Sequence, residues 1–539
     1  MSISIPISGS LTGGSGEIDP DAIVTGALNL YVFGDSIAFQ QTQSNQQPNA
    51  SITGISKANP AVVTHTGHGF ETDQQLYFWG VKGMTEINER LLTITVINAN
   101  SYSLNGVDST GYTTYTSGGR AHGAVWAASA TVNSRLKLGT IDAKGYIKHA
   151  LKFMGQRFNF GMKNNRGIAS ETSTMIAARV TESLPVANGI TDVYDECGTN
   201  DIGVTALTLS QATQDSTFAT FQTNVQAIRD YVHNTLKARY IRQTLLPAAA
   251  TTTSQRDLKD RMNAWLKTLA SEVPGREVYI VDAYRRTADP ATRDWYTNLT
   301  PADGIHPDAA ASVVIGQAIE EDLTPFYGVG QYREKVTNLV TNPNFTGTGG
   351  TALAISFSGN GNIATGWTAT AVGASNNATM ALSKNANDEQ VCTFNYASTT
   401  SDTTNGVNFT FPFTTGLVDQ TFYVLEALLD FDGYTTSGAT AFPVDLSASL
   451  RHSTSTDLST DGNVISGTPA TPLLGTVLDT ESGKRYLHLK TFPAKYDSSV
   501  MTNLTAKIGC RFKVNVAAGI TATLTLKKAQ IYPVANPYS

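Results

Sequence analysis

The chain has 539 residues, a formal charge of -6 and 15% charged residues, against roughly 25% in an average soluble domain. Ser, Thr, Asn and Gly fill the shortfall, which suits strands and turns and excludes a coiled coil or a long helical bundle. No run approaches the ~20 apolar residues of a membrane helix, the acidic balance gives no footprint for nucleic acid, and the scattered Cys197, Cys392 and Cys510 make neither a zinc ribbon nor a disulfide framework.

Length suggests about three or four domains at roughly 150 residues each. Residues 1–25 are rich in Gly and Ser and read as a flexible or attachment segment, without the basic-then-apolar pattern of a secretory leader. The apolar run Leu28 to Phe33, stopped by Gly34, reads as a buried strand. From 52 to 121 short β-like runs alternate with Asn-, Gly- and Asp-containing turns. That texture predicts a small antiparallel β domain. From 122 to 325 helical stretches at 142–153, 172–184, 217–238 and 257–273 alternate with strand candidates at 190–197, 240–246 and 278–282. Such alternation predicts a mostly parallel sheet with helices on its faces. The strand before Gly34 fits as its first member, so this α/β unit spans 26–51 and 122–325, interrupted by an insertion at 52–121. Residues 326–337 read as a linker, and 338–539, dominated by Thr, Ser, Asn and Gly, as a β-sandwich or jelly roll.

Three motifs fall where an α/β fold places active sites, at the carboxyl ends of strands. Gly34-Asp35-Ser36-Ile37 follows the first strand and exposes a serine at a sharp turn beside backbone N–H groups. Gly198-Thr199-Asn200-Asp201 follows the strand candidate at 190–197 and offers a side-chain amide. Asp303-Gly304-Ile305-His306-Pro307 puts a carboxylate and an imidazole on one loop, so the first can orient the second. Taken singly, each motif fits a turn, a loop residue or a helix cap as readily as a catalytic group.

Together and in this order they resemble the SGNH (GDSL-type) hydrolase family, over about 26–48 plus 122–325. The resemblance implies a three-layer, flavodoxin-like parallel sheet. It implies Ser36 as nucleophile, His306 as general base and then acid, and Asp303 as its orienter. The oxyanion would be held by the Ser36 N–H, the Asn200 amide and a third donor. The family usually has Gly at that third position. Here the matching stretch places Ser170 there, with Gly167 three residues earlier, so either residue is open as donor. Asp35, Gly198 and Asp201 read as supports of the turns, and Cys197 has no paired histidine to make it a nucleophile.

The chain has neither HExxH nor a Walker phosphate loop, and His65 and His68 read as turn residues before metal ligands. No metal or organic cofactor is implied. The insertion, with Asn59-Pro60-Ala61, His68-Gly69-Phe70 and Tyr115-Thr116-Ser117-Gly118-Gly119, is similar to a β module of bacteriophage tail proteins. The C-terminal region, from Asn338-Leu339-Val340-Thr341-Asn342-Pro343 through Gly366-Trp367, looks like a carbohydrate-binding module, with Trp367 a candidate sugar platform or a core residue. These resemblances imply an esterase of a phage tail spike or fibre. It would deacetylate a bacterial surface polysaccharide, partner other tail proteins in a homotrimer, and sit on the virion tail. A secreted bacterial carbohydrate acetylesterase and a non-catalytic adhesive tail protein are the rival readings.

Overall fold

A computed structural model describes residues 28–42, 51–125, 145–297, 299–353, 362–372, 378–397, 403–437, 444–452, 456–462, 485–491, 493–499, 501–514 and 519–535. The segment 1–25, expected to serve attachment, lies outside that set.

Strand β1 (Leu28–Gly34) forms on the apolar run. Leu28, Leu30 and Val32 join one hydrophobic cluster and Tyr31 and Phe33 another. Both faces are therefore buried, as a central parallel strand requires. Helix α1 (Ser36–Phe39) follows, and after the insertion the chain resumes with α2 (Tyr146–Phe153). Next come β2 (Phe158–Asn159), β3 (Asn165–Gly167), α3 (Ser173–Ala178), α4 (Val180–Ser183), β4 (Asp192–Asp195) and α5 (Thr199–Ile202). They are followed by α6 (Gln211–Tyr231), β5 (Arg239–Gln243), α7 (Thr253–Lys267), β6 (Val278–Val281) and α8 (Ala309–Tyr327). The sheet order is β6-β5-β4-β1, with β2 and β3 both beyond β1, and all pairings are parallel. Helices α2 and α8 pack on one face, and α3, α6 and α7 on the other. The result is the three-layer arrangement expected.

The chain leaves β1 toward β2 and β3, then crosses to β4. Strand order therefore reverses between β1 and β4, and crevices at the carboxyl ends of such strands are where α/β sheets bind ligands.

Helix boundaries shift from expectation for identifiable reasons. The stretch at 172–184 is two helices, broken at Arg179 with φ -115° and ψ 11°. Helix α6 starts at Gln211 because the Ser210 side chain caps the Thr213 N–H. Helix α7 starts at Thr253 because Thr252 and Gln255 form a reciprocal capping box. Helix α8 runs through Pro325 to Tyr327, into the expected linker. Tyr327 anchors that last turn, since it is buried and its hydroxyl donates to Asp192 at 2.6 Å.

The insertion is a six-stranded antiparallel sheet with its own apolar core, and its closing strand Ser117–Val125 runs past residue 121. His65 and His68 support its turns: His65 Nδ1 lies 3.2 Å from the Tyr102 hydroxyl, and His68 accepts from the Phe70 N–H. A half-buried ion pair bolts the insertion to the parallel-sheet domain. Arg166 on β3 donates to both carboxylate oxygens of Glu89, at 3.1 and 2.9 Å, and its guanidinium sits 4.8 Å from the Trp79 ring centre.

Among the described residues the C-terminal region carries two six-stranded sheets whose inner residues share one cluster, Trp367, Phe409 and Ile508 from one, Leu382, Phe394 and Leu524 from the other. This is the sandwich expected. Trp367, however, is not a sugar platform. It has no exposed surface, packs between Phe345 and Phe411, and its indole N–H donates to the Asn342 carbonyl at 3.2 Å.

Candidate active site

Ser36 sits directly after β1, at the start of α1. Asp35 caps this turn by accepting the Ile37 N–H at 3.0 Å. The close approach of strand and helix requires glycine nearby. A Cβ on Gly167 would lie 2.1 Å from the Phe39 nitrogen, and one on Gly34 would meet Glu196 at 2.9 Å.

Asp303, Gly304 and His306 form a tight loop before α8. Gly304 takes φ +73°, its carbonyl accepts from the Trp295 indole at 3.0 Å, and a Cβ there would strike Ala249. Asp303 Oδ1 accepts the N–H groups of Ile305 and His306, both at 2.9 Å. Its Oδ2 lies 2.7 Å from His306 Nδ1, and His306 Nε2 lies 2.8 Å from Ser36 Oγ. Partial burial alone would raise the Asp303 carboxyl, but the two backbone N–H groups and the imidazole outweigh it and hold it below its ordinary value. An ionised carboxylate only accepts, so Nδ1 carries the ring proton and Nε2 is left to accept from the serine hydroxyl. Ser36 and the distant Asp303–His306 loop thus form one hydrogen-bonded line, open to solvent at its acid end, where the Asp303 side chain is 54% exposed.

The Asn200 amide, at the start of α5, donates to the Glu171 carbonyl at 2.9 Å, which leaves its second hydrogen for an acceptor. Gly198 takes φ +126°, and a Cβ there would collide with Phe221. Asp201 caps α3 by accepting the Ser173 N–H at 2.8 Å and hydroxyl at 2.6 Å. Ser170 occupies the left-handed region at φ +66°, a conformation that glycine adopts freely and serine does not. Among the described residues the N–H groups of Ser36 and Ser170 have no hydrogen-bond partner. The Gly167 N–H is committed to Asn165 Oδ1 at 2.9 Å. Gly167 is therefore a close-packing residue, and Ser170 is the available donor of the two.

Several buried groups lie behind this line, of which Gln40, Arg242 and Glu196 gave no signal in the sequence. Gln40 donates to the Pro307 carbonyl at 3.2 Å, which ties α1 to the histidine loop. Arg242 on β5 lies 3.5 Å from Asp195 and donates to the Cys197 carbonyl. Burial pushes the Asp35 carboxyl up to about 7, against the lowering effect of the Ile37 N–H, and drives Glu196 well above its ordinary value. Burial, reinforced by Asp195, likewise raises the Cys197 thiol, so it is no thiolate nucleophile. Among the described residues no group of three or more His, Cys, Asp or Glu side chains is placed to hold a metal.

Similarity to known proteins falls on separate parts of the chain. The family described as the ubiquitin-activating enzyme E1 FCCH domain matches residues 58–123, within the insertion. A human protein, ubiquitin-like modifier-activating enzyme 6, is 36% identical over 92 residues, and the match spans 16% of this chain and 9% of that enzyme. Among solved structures, a carbohydrate esterase family 3 protein from Talaromyces cellulolyticus matches 30% of this chain and 72% of its own, at 15% identity and TM-score 0.23. An acetylxylan esterase from Geobacillus stearothermophilus matches 36% of this chain and 85% of its own, at 18% identity and TM-score 0.28. A GDSL-like lipase from Bacteroides thetaiotaomicron matches 33% and 83%, at 21% identity and TM-score 0.24.

Proposed function

We propose that this chain is a serine esterase of the SGNH type. The observation that carries the reading is the line Asp303–His306–Ser36, with contacts of 2.7 and 2.8 Å at the carboxyl end of the parallel sheet. Ser36 Oγ attacks an ester carbonyl while its proton passes to His306 Nε2. The tetrahedral oxyanion is held by the N–H groups of Ser36 and Ser170 and the Asn200 amide. His306 then returns the proton to the departing alcohol, leaving an acyl-serine. Water attacks this ester by the same route and releases the acid and free Ser36.

The substrate we assign is an O-acetylated bacterial surface polysaccharide. A solvent-open acid–base pair suits an ester displayed on a large polymer, and the sandwich and insertion suit placement on a surface. The resemblance of the insertion and C-terminal region to phage tail and carbohydrate-binding modules supports a tail spike or fibre, acting as a homotrimer. Wild type is expected to release p-nitrophenol from p-nitrophenyl acetate and Ser36→Ala is not. Equal release by both would overturn the enzyme reading and leave the adhesive one. Mass spectrometry of host polysaccharide should show loss of acetyl mass with chain length intact, whereas chain scission would contradict deacetylation. Detection of the chain in purified virions tests tail placement, and its secretion by uninfected bacteria would favour the bacterial acetylesterase.

A further inference from the structure

Arg179 stands at the break between α3 and α4, and its side chain is 11% exposed. Its guanidinium donates in several directions. Nε meets Glu171 Oε2 at 2.6 Å, Nη1 meets the Arg166 carbonyl and the Ser183 hydroxyl at 2.9 Å each, and Nη2 meets the Gly34 carbonyl at 2.9 Å. Its flat face lies 4.7 Å from the centre of the Phe33 ring.

These acceptors belong to different parts of the proposed site. Gly34 precedes Asp35 and Ser36. Arg166 lies on β3, which leads to the Ser170 turn, and Glu171 follows Ser170 directly. The Glu171 carbonyl in turn accepts the Asn200 amide at 2.9 Å. Each of the three oxyanion donors is therefore one or two steps from the same guanidinium. The Ser170 conformation, unfavourable for a residue with a Cβ, also persists only if its surroundings hold it. A planar fork with five N–H donors can serve such divergent acceptors, whereas a lysine ammonium offers a single point.

We propose that Arg179 is a positioning residue for the esterase reaction, holding Ser36, Ser170 and Asn200 in the arrangement that binds the oxyanion. The inference rests on the serine-esterase reading. It gives Arg179 no contact with substrate and no proton to transfer, so its effect belongs to the transition state and not to ground-state binding.

The test compares wild type, Ser36→Ala, Arg179→Lys, Arg179→Ala and Glu171→Gln on p-nitrophenyl acetate. Active sites are counted with a fluorophosphonate that labels reactive serine. Per titrated site, kcat is expected to fall about 10- to 100-fold in both Arg179 variants with KM within about twofold, since misplaced donors cost that much. Added guanidinium should restore part of the Arg179→Ala loss and none of the Ser36→Ala loss. Glu171→Gln keeps the shape of the contact and is expected to lose about 3- to 10-fold in kcat. Should the Arg179 variants fail to fold, that variant alone decides. Wild-type kcat per titrated site in the folded variants, beside a lowered melting temperature, would overturn the inference and leave the esterase reading intact. Equal turnover in wild type and Ser36→Ala would sink that reading and this inference with it.

Discussion

Behind Ser36 the parallel-sheet domain buries Asp35, Asp195, Glu196, Arg166 and Arg242, whereas the facing sheets of the C-terminal sandwich bury Trp367, Phe394, Phe409, Ile508 and Leu524. The sandwich does contain buried acids, but each has a lysine beside it: Lys490 lies 3.1 Å from Glu426 and Lys527 3.2 Å from Asp430. Asp35 Oδ2 and Glu196 Oε1 near Ser36 are buried without a hydrogen-bond partner, as is Asp430 Oδ1 in the sandwich, but only the sandwich acid has a lysine beside it. Close-packed hydrocarbon in place of buried charged groups is often as stable or more so. Perturbed carboxyls concentrate where chemistry is done, and here they lie under one turn of the molecule. On the proposed reading, the difference would separate a region arranged for chemistry from one arranged for packing.

The largest way to test that separation is Ser36→Ala. Turnover should fall by at least ~10³-fold with the melting temperature nearly unchanged, as read by ester hydrolysis and calorimetry on one sample. Next come two matched core changes. Arg242→Met strands Asp195 and is expected to cost ~3–5 kcal/mol of stability together with turnover, because the Cys197 carbonyl it holds precedes the Asn200 loop. Trp367→Ala is expected to cost a similar ~3–5 kcal/mol and leave kcat per titrated site untouched. Loss of turnover in both would erase the distinction between the two regions.

A smaller effect concerns pH. The Asp35 carboxyl titrates at about 7 when folded and near ~3.9 when unfolded. The folded state then binds the proton more tightly, so this stabilisation is complete below pH ~4 and is lost as pH rises to ~7. Asp35→Asn imitates the protonated group and should flatten the stability profile across that window, gaining on the order of a few kcal/mol at its upper end. Urea denaturation at several pH values measures it, and an unchanged slope would contradict the buried, unmatched state of this acid. The smallest effect belongs to the exposed pair Lys82–Glu182, 3.2 Å apart. Lys82→Ala should shift stability by ~0–1 kcal/mol, in contrast to the Arg166–Glu89 pair between the same two domains, whose arginine is fully buried.

Much of the parallel-sheet domain was legible because its signals are local. The apolar run of β1, the alternation of strands and helices, and the three short motifs each occupy a few consecutive residues. Gln40, Arg179 and Arg242 gave no such signal. The Arg179–Gly34 contact joins positions 145 residues apart, and nothing around Arg179 distinguishes it from any other arginine. Trp367 was ambiguous for a related reason: a tryptophan after glycine fits a platform or a core equally, and only the packing of Phe345 and Phe411 around it decides. The choice between Gly167 and Ser170 needed backbone geometry, since it turns on which N–H is already bound.

The sequence by itself determined the strand-rich character and the interrupted parallel sheet, which follow from composition and from periodicity over one turn or one strand. Its resemblance to SGNH hydrolases singled out Ser36, Asn200, Asp303 and His306 as candidates. Tertiary structure alone decided that the serine and histidine loops meet within 2.8 Å, that Arg179 joins the Gly34, Arg166 and Glu171 segments, and that acidic groups are buried near Ser36. Such contacts depend on how distant segments cross in space, and no local pattern encodes which buried donor will meet which carbonyl.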